Sequence, residues 1–204
     1  MPPMTITTRS AGYYGKIPAC GDFVSAGLPS PIVKAWDQYV SAALAGARTT
    51  LADHWTDIWL EAPVWRFALT EALCGPAPLL GLWMPSIDKA GRHFPLMIAG
   101  TCPGATPEQM ARHGTAWLDA AEDAGRAAIA DDLTPEQLTV LVPPPPALGA
   151  EPDTGLPFNL QPRAGAGLWW TNGAPRVCAH GLVLDTMPDA ATFRAMLYAG
   201  PAAP

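Results

Sequence analysis

Leu79-Leu80-Gly81-Leu82-Trp83-Met84, Pro85-Ser86-Ile87-Asp88-Lys89-Ala90-Gly91-Arg92-His93 and Phe94-Pro95-Leu96-Met97-Ile98-Ala99 follow one another without a break, and this stretch decides the fold. The outer runs are too short for helices and are apolar on both faces. That is the pattern of central strands covered by helices on two sides. The middle run mixes proline, glycine and charge without period. It reads as a loop of particular shape, because proline fixes φ and glycine frees it.

Working outward, Val64–Leu69 reads as another buried strand. Gly12–Ile17 reads as a first strand, ended by Pro18. Ser30-Pro31 has the form of an N-cap followed by proline at the first helical position. The recurrence of Ile32, Val33, Trp36, Tyr39, Val40 and Leu44 predicts a helix to about Ala47. Leu51, Trp55, Ile58 and Trp59 mark a second helix, stopped by Pro63. Thr106-Pro107-Glu108-Gln109 opens a long helix with Met110, Gly114, Trp117, Leu118 and Ala121 on its buried face, and Thr134-Pro135-Glu136 opens a short one.

Pro143 to Pro162 is a Pro/Gly-rich surface connection. Gly167–Thr171 and Arg176–His180 read as late strands joined through Asn172-Gly173, a hairpin signal. Pro188–Tyr198 reads as a last helix. Helices before, between and after the strands predict an α/β fold, a three-layer α/β/α sandwich on a mixed central sheet. Residues 1–11 are expected to be a loose tail and 12–204 a single domain.

Composition narrows the function classes. The chain has 204 residues, 49% hydrophobic, with eight tryptophans. That suffices for a well-buried core. Twelve basic against eighteen acidic residues give a net charge of −6, and only Lys16, Lys34 and Lys89 are lysines. No basic run suggests binding to nucleic acid or to an anionic membrane. No apolar run reaches the ~18 residues of a membrane span. No signal peptide is visible, and a cytoplasmic location is expected. The four cysteines lack C-x-x-C pairing and are expected as reduced thiols. No metal-ligand spacing occurs, and neither metal nor cofactor is expected.

A second special block, Gly12-Tyr13-Tyr14-Gly15-Lys16-Ile17-Pro18-Ala19-Cys20-Gly21-Asp22-Phe23, has the same character as the first. It is no P-loop: the glycines are too close, and Ile17 stands where a metal-binding Ser or Thr is required. Cys20 has no local histidine and reads as a buried, inert thiol. Ser86, Asp88 and His93 are not arranged as a catalytic triad. They read as a turn in which Ser86 and Asp88 bond nearby amides and Arg92 pairs with Asp88. Lys16, Asp22, Asp88 and Arg92 carry two charges of each sign, and near a core such charges need partners. The two blocks are therefore expected to touch. Trp65 adjoins Arg66 in a strand, and one of the two faces outward unless covered. Trp169 and Trp170 must point to opposite faces, so one is a candidate exposed interface aromatic unless a helix packs over that face.

These motifs carry a resemblance. Gly12-Tyr13-Tyr14-Gly15-Lys16-Ile17-Pro18-Ala19-Cys20-Gly21-Asp22-Phe23-Val24 resembles the opening of the TagF (also called ImpM) family of type VI secretion-associated proteins. Trp36-Asp37, Ala62-Pro63-Val64-Trp65-Arg66-Phe67, the Pro85–Leu96 block and Leu168-Trp169-Trp170 follow in that family's order. The resemblance implies a bacterial cytoplasmic factor that represses assembly or firing of the type VI apparatus after translation. It implies a forkhead-associated-domain scaffold as partner and a non-enzymatic mode of action through protein–protein interaction.

Gly15, Lys16, Gly21, Asp22, Phe23, Trp65, Ser86, Asp88 and Arg92 are the candidate partner-binding residues. The same residues are equally readable as pure loop architecture. A structural subunit of the apparatus and a small hydrolase using Asp22 or Asp88 remain open as alternatives, as does homo-oligomerisation.

Overall fold

A computed structural model describes residues 8–199. Seven strands form one sheet in the order β2-β1-β5-β4-β3-β6-β7. They are β1 (Ala11–Gly15), β2 (Val24–Ala26), β3 (Trp65–Leu69), β4 (Leu79–Met84), β5 (Leu96–Thr101), β6 (Gly167–Thr171) and β7 (His180–Leu184). The helices are α1 (Ser30–Leu51), α2 (Trp55–Leu60), α3 (Pro107–His113), α4 (Thr115–Ala130), α5 (Pro135–Leu141) and α6 (Ala190–Leu197).

The α/β/α sandwich is the expected one, with a correction to the sheet. Every pairing is antiparallel, so the sheet is not mixed. Parallel neighbours need a crossover, usually helical. Here β3, β4 and β5 follow one another through residues 70–78 and 85–95, which hold no helix.

Alternation along the strands builds two cores. Tyr14, Trp65, Phe67, Leu69, Trp83, Met97 and Trp169 pack against α1, α2 and α6. Tyr13, Ala68, Leu80, Leu82, Leu96, Ile98 and Trp170 pack on the other face with α3, α4 and α5. With both faces covered, neither Trp169 nor Trp170 is exposed, contrary to the sequence expectation; they are 0% and 5% accessible. Trp65 is also fully buried, donating from Nε1 to the carbonyl of Met196 at 2.9 Å.

Local differences have local causes. Ser30 is not a cap: Pro29 occupies that position and no side chain caps α1, which runs on to Leu51. The long helix expected from Thr106 divides at Gly114. Gly114 leaves helical geometry at φ −96° and ψ 1°, and a Cβ there would lie 2.5 Å from the Met110 carbonyl oxygen as well as from Leu80 Cδ2. Strand β5 begins at Leu96, after Pro95, which has no N–H to donate.

The second late strand is His180–Leu184 instead of Arg176–His180. Ala174 and Val177 exchange backbone hydrogen bonds and close a wider loop after Asn172-Gly173. The expected N-terminal tail lies largely outside the described residues. Its end is fixed: Ala11 opens β1, the Ser10 N–H donates to Thr101 Oγ1, and the Thr101 N–H donates to the Ser10 carbonyl. The Pro143–Pro162 connection is pinned where the Trp117 indole donates to the Pro144 carbonyl at 2.7 Å.

Trp59, Trp83 and Phe193 stack in series and tie α2, β4 and α6 together. Replacing Trp83 by Ala leaves a cavity in that column. It is expected to lower stability by about 3–5 kcal/mol, read as a lower urea midpoint with the slope unchanged.

Candidate functional site

Sheet order brings the two special loops together. Strand β1 pairs with β5, Tyr14 opposite Met97, so residues 16–23 after β1 lie beside residues 85–95 before β5. Gly15 permits the approach. Its φ is +146°, and a Cβ would sit 2.0 Å from the Pro95 carbonyl oxygen.

Asp88 is the centre of the site. Its side chain is fully buried, and Oδ2 accepts from Lys16 Nζ at 2.8 Å and Arg92 Nε at 2.7 Å. Oδ1 accepts the N–H groups of Ala90 and Arg92, each at 2.9 Å. The loops are joined twice more: Lys89 N–H donates to the Cys20 carbonyl at 2.8 Å, and Arg92 Nη2 donates to the Gly21 carbonyl. Lys16 is buried; Arg92 is 61% exposed. Burial pushes the Asp88 carboxyl up, but the hydrogen bonds from Lys16, from the Arg92 backbone and side chain and from Ala90 outweigh it. The carboxyl is held well below the usual carboxylate range.

Phe23 lies over this clasp, 43% exposed. Its ring stacks on Tyr14, meets Phe94 edge-on at 4.8 Å, and has Lys16 Nζ 5.1 Å from its centroid. A cation below one face fixes the ring further. Behind the second loop, Trp59 Nε1 donates to the Ser86 carbonyl and Trp55 Nε1 to His93 Nδ1, at 3.0 and 2.9 Å. Arg48 covers the Trp55 ring. His93 accepts at Nδ1, so the imidazole is neutral with its proton on Nε2. Burial lowers its pKa, and Arg48 and Lys16 lower it further against Asp88.

The candidates therefore divide. Gly15, Lys16, Gly21, Asp88 and Arg92 form the clasp, with Phe23 on top. Asp22 is exposed, accepts only its neighbour Phe23 N–H, and takes no part in the ion pairs. Ser86 is buried, and its hydroxyl donates to the Ile87 carbonyl; the bond from a nearby amide expected for it is not made, a correction to the sequence reading. Trp65 is buried in the helix-covered core and lies outside the site. Cys20 is half-exposed, a correction to the buried thiol expected there; Cys74 and Cys102 are the buried ones, their thiols pushed up to about 12 chiefly by burial.

Sequence reasoning missed Trp55, Trp59 and Arg48 as braces of the loop, since helical spacing marks such residues only as core. It also missed the backbone carbonyls of Cys20 and Gly21, which carry no sequence signal. Among the described residues, no group of three His, Cys, Asp or Glu side chains could hold a metal ion, and no helix is long and apolar enough to cross a membrane.

An antiparallel α/β/α sandwich with its β1–β2 and β4–β5 loops locked at one end is the class that fold and site define. The model of the TagF N-terminal domain, type VI secretion system-associated, matches residues 12–142, and the chain belongs to that family. Membership links the protein to type VI secretion. The crystal structure of PA0076 from Pseudomonas aeruginosa PAO1 is similar over 96% of this chain and 97% of that one, with a TM-score of 0.77 and 26% identity. No curated protein matches the chain.

Removing the carboxylate strands a buried Lys16. Asp88→Ala is expected to lower stability at pH 7 by about 3–5 kcal/mol, measured by urea unfolding. The folded-state pKa of Asp88 is depressed, so its contribution is present above the unfolded value of about 4 and lost as pH falls below it. The gap between the two proteins is therefore expected to close in acid. His93 acts in the same sense at higher pH: its stabilisation is full above about 6.5 and declines below that.

Proposed function

We propose that this protein is a cytoplasmic, non-enzymatic accessory factor that represses assembly of the type VI apparatus. It acts after translation, by binding a scaffold that carries a forkhead-associated domain. The supporting observation is the clasp. It spends its buried charges on its own two loops and leaves a fixed aromatic ring and a fixed guanidinium facing outward. Aromatic and arginine side chains are the usual anchors of protein interfaces. Because the loops are already ordered, binding carries little further ordering cost. Repression then works by occupancy: the factor binds one state of its partner and withdraws that state from assembly.

A hydrolase reading is not favoured by this geometry. The Asp88 carboxylate is enclosed and accepts from Lys16, Ala90 and Arg92. No substrate proton can reach it. Asp22 is solvated and has no partner that would activate it.

The test is capture of the scaffold by purified protein, paired with secretion measured during overproduction in a type VI-positive host. Wild type is expected to retain the scaffold and lower secretion. Phe23→Ala and Arg92→Ala, checked for folding, are expected to weaken both by about tenfold or more, the scale of an interface anchor. Wild type that retains no type VI component and leaves secretion unchanged refutes the reading. Stoichiometric co-purification with sheath or baseplate would instead make it a structural subunit, and phosphoprotein, nucleotide or ester turnover lost in Asp22→Ala would make it an enzyme.

A further inference from the structure

A cavity of about 380 Å³ opens on the other face of the sheet, away from the clasp, between β3, β6, α4 and the chain after residue 153. Its wall includes Arg66, Thr115, Asp119 and Trp170, and Phe158 stands at its lip. The family match ends at residue 142, so the lip comes from a part of the chain beyond it.

Arg66 is anchored along one edge only. Nε donates to Glu122 Oε2 at 3.2 Å, and Nη2 donates to Asp119 Oδ1 at 2.7 Å and Glu122 Oε2 at 2.8 Å. The Nη1 group makes no hydrogen bond to any described residue and is open to solvent, while the side chain as a whole is 12% exposed. Glu122 also binds Arg126. Two arginines thus balance two carboxylates, and the network has no net charge to offer an ion.

The hydroxyls beside it have a fixed sense. Thr154 Oγ1 donates its proton to the Arg112 carbonyl at 2.9 Å. It must therefore accept from Thr115 Oγ1, 2.8 Å away. A hydroxyl has one proton, so Thr115 Oγ1 keeps only acceptor capacity. The cavity therefore presents an oriented donor, Arg66 Nη1, and oriented acceptors, Thr115 Oγ1 and the Asp119 carboxylate.

Phe158 is unfavourable in the isolated chain on two counts. Its backbone is left-handed, with φ 54° and ψ 26°, a region that suits glycine, asparagine and aspartate. Its ring is 45% exposed. Strained backbone positions cluster at ligand clamps, active sites and switch regions, and this one holds an apolar ring at the mouth of the cavity.

We propose that this cavity is a second binding site, separate from the clasp, that takes the carboxamide side chain of Asn or Gln from an extended partner polypeptide. The carboxamide is uncharged, as the balanced network requires. Its oxygen accepts from Arg66 Nη1, its NH2 donates to Thr115 Oγ1 or Asp119, and its plane lies against the Phe158 ring.

The test is an NMR titration of the full chain with N-acetyl-glutamine methylamide, using the glutamate and lysine counterparts as charged controls. The glutamine probe is expected to shift the amide signals of Gly155 and Asn172 and the Nε–H of Arg66, with both charged probes weaker by about tenfold. Phe158→Gly suits the left-handed backbone, so its Tm is expected to stay within about 4 °C of wild type, while affinity for the glutamine probe falls about tenfold. Thr115→Val is expected to weaken the glutamine probe as well. Phe23→Ala, at the clasp, is expected to leave the titration unchanged, which separates this site from the scaffold-binding reading.

Tighter binding of the glutamate or lysine probe overturns the proposal. So does an unchanged titration in folded Phe158→Gly, or the absence of shifts with the glutamine probe.

Discussion

One carboxylate, that of Asp88, holds the loop end of this domain together. Buried without partners it would be untenable, because an unpaired charge in the interior is strongly disfavoured. Here both oxygens are saturated: Oδ2 by two cations from different loops, Oδ1 by two amides of its own loop. Neither loop can keep its shape alone, since Lys16 would be left buried without a counter-charge and Asp88 without its ammonium. The geometry around them follows. Gly15 must be glycine for the loops to meet, Arg92 is turned toward the Gly21 carbonyl, and Phe23 is fixed above Lys16.

The sheet makes that meeting inevitable. An antiparallel β1–β5 pair puts the end of one strand beside the start of the other. The helix-side aromatic packing then supports the second loop from below, with Trp55 and Trp59 donating to His93 and Ser86. A partner would meet a surface whose shape is set by the core. That is consistent with recognition by a pre-organised patch, in which little freedom remains to be lost.

The parts of the fold legible in the sequence were those with a strong local signal. Leu79–Met84 and Gly167–Thr171 are strands with the expected bounds, because proline or a turn delimits an unbroken apolar run. The contact between the loops was legible too, since charges among glycines near a core require partners. What failed depended on distant neighbours. Trp169 and Trp170 both vanish into cores because both faces of β6 are covered; an apolar run is compatible with that, but whether the helices reach as far as β6 is set by distant parts of the chain. The break at Gly114 was not legible either, since Gly114 also fits the apolar helical spacing; the close neighbours of a Cβ there, the Met110 carbonyl oxygen and Leu80 Cδ2, appear only in the fold. Buried apolar strands look alike in parallel and antiparallel sheets, so strand direction had to come from the connections. Arg66 with its bare Nη1 and Phe158 with its left-handed backbone left no sequence trace at all.

The central claim is that Asp88 couples the two loops, and native-state hydrogen exchange measures this most directly. In wild type the amides of Ala90 and Arg92, bonded to Asp88, and of Lys89, bonded to the Cys20 carbonyl, should be protected. In Asp88→Asn the account predicts that all three lose protection together with Cys20, whose amide bonds Ile17 in the first loop, while β4 and β5 amides keep theirs. Loss confined to Ala90 and Arg92, with Cys20 and Lys89 as protected as before, would contradict it.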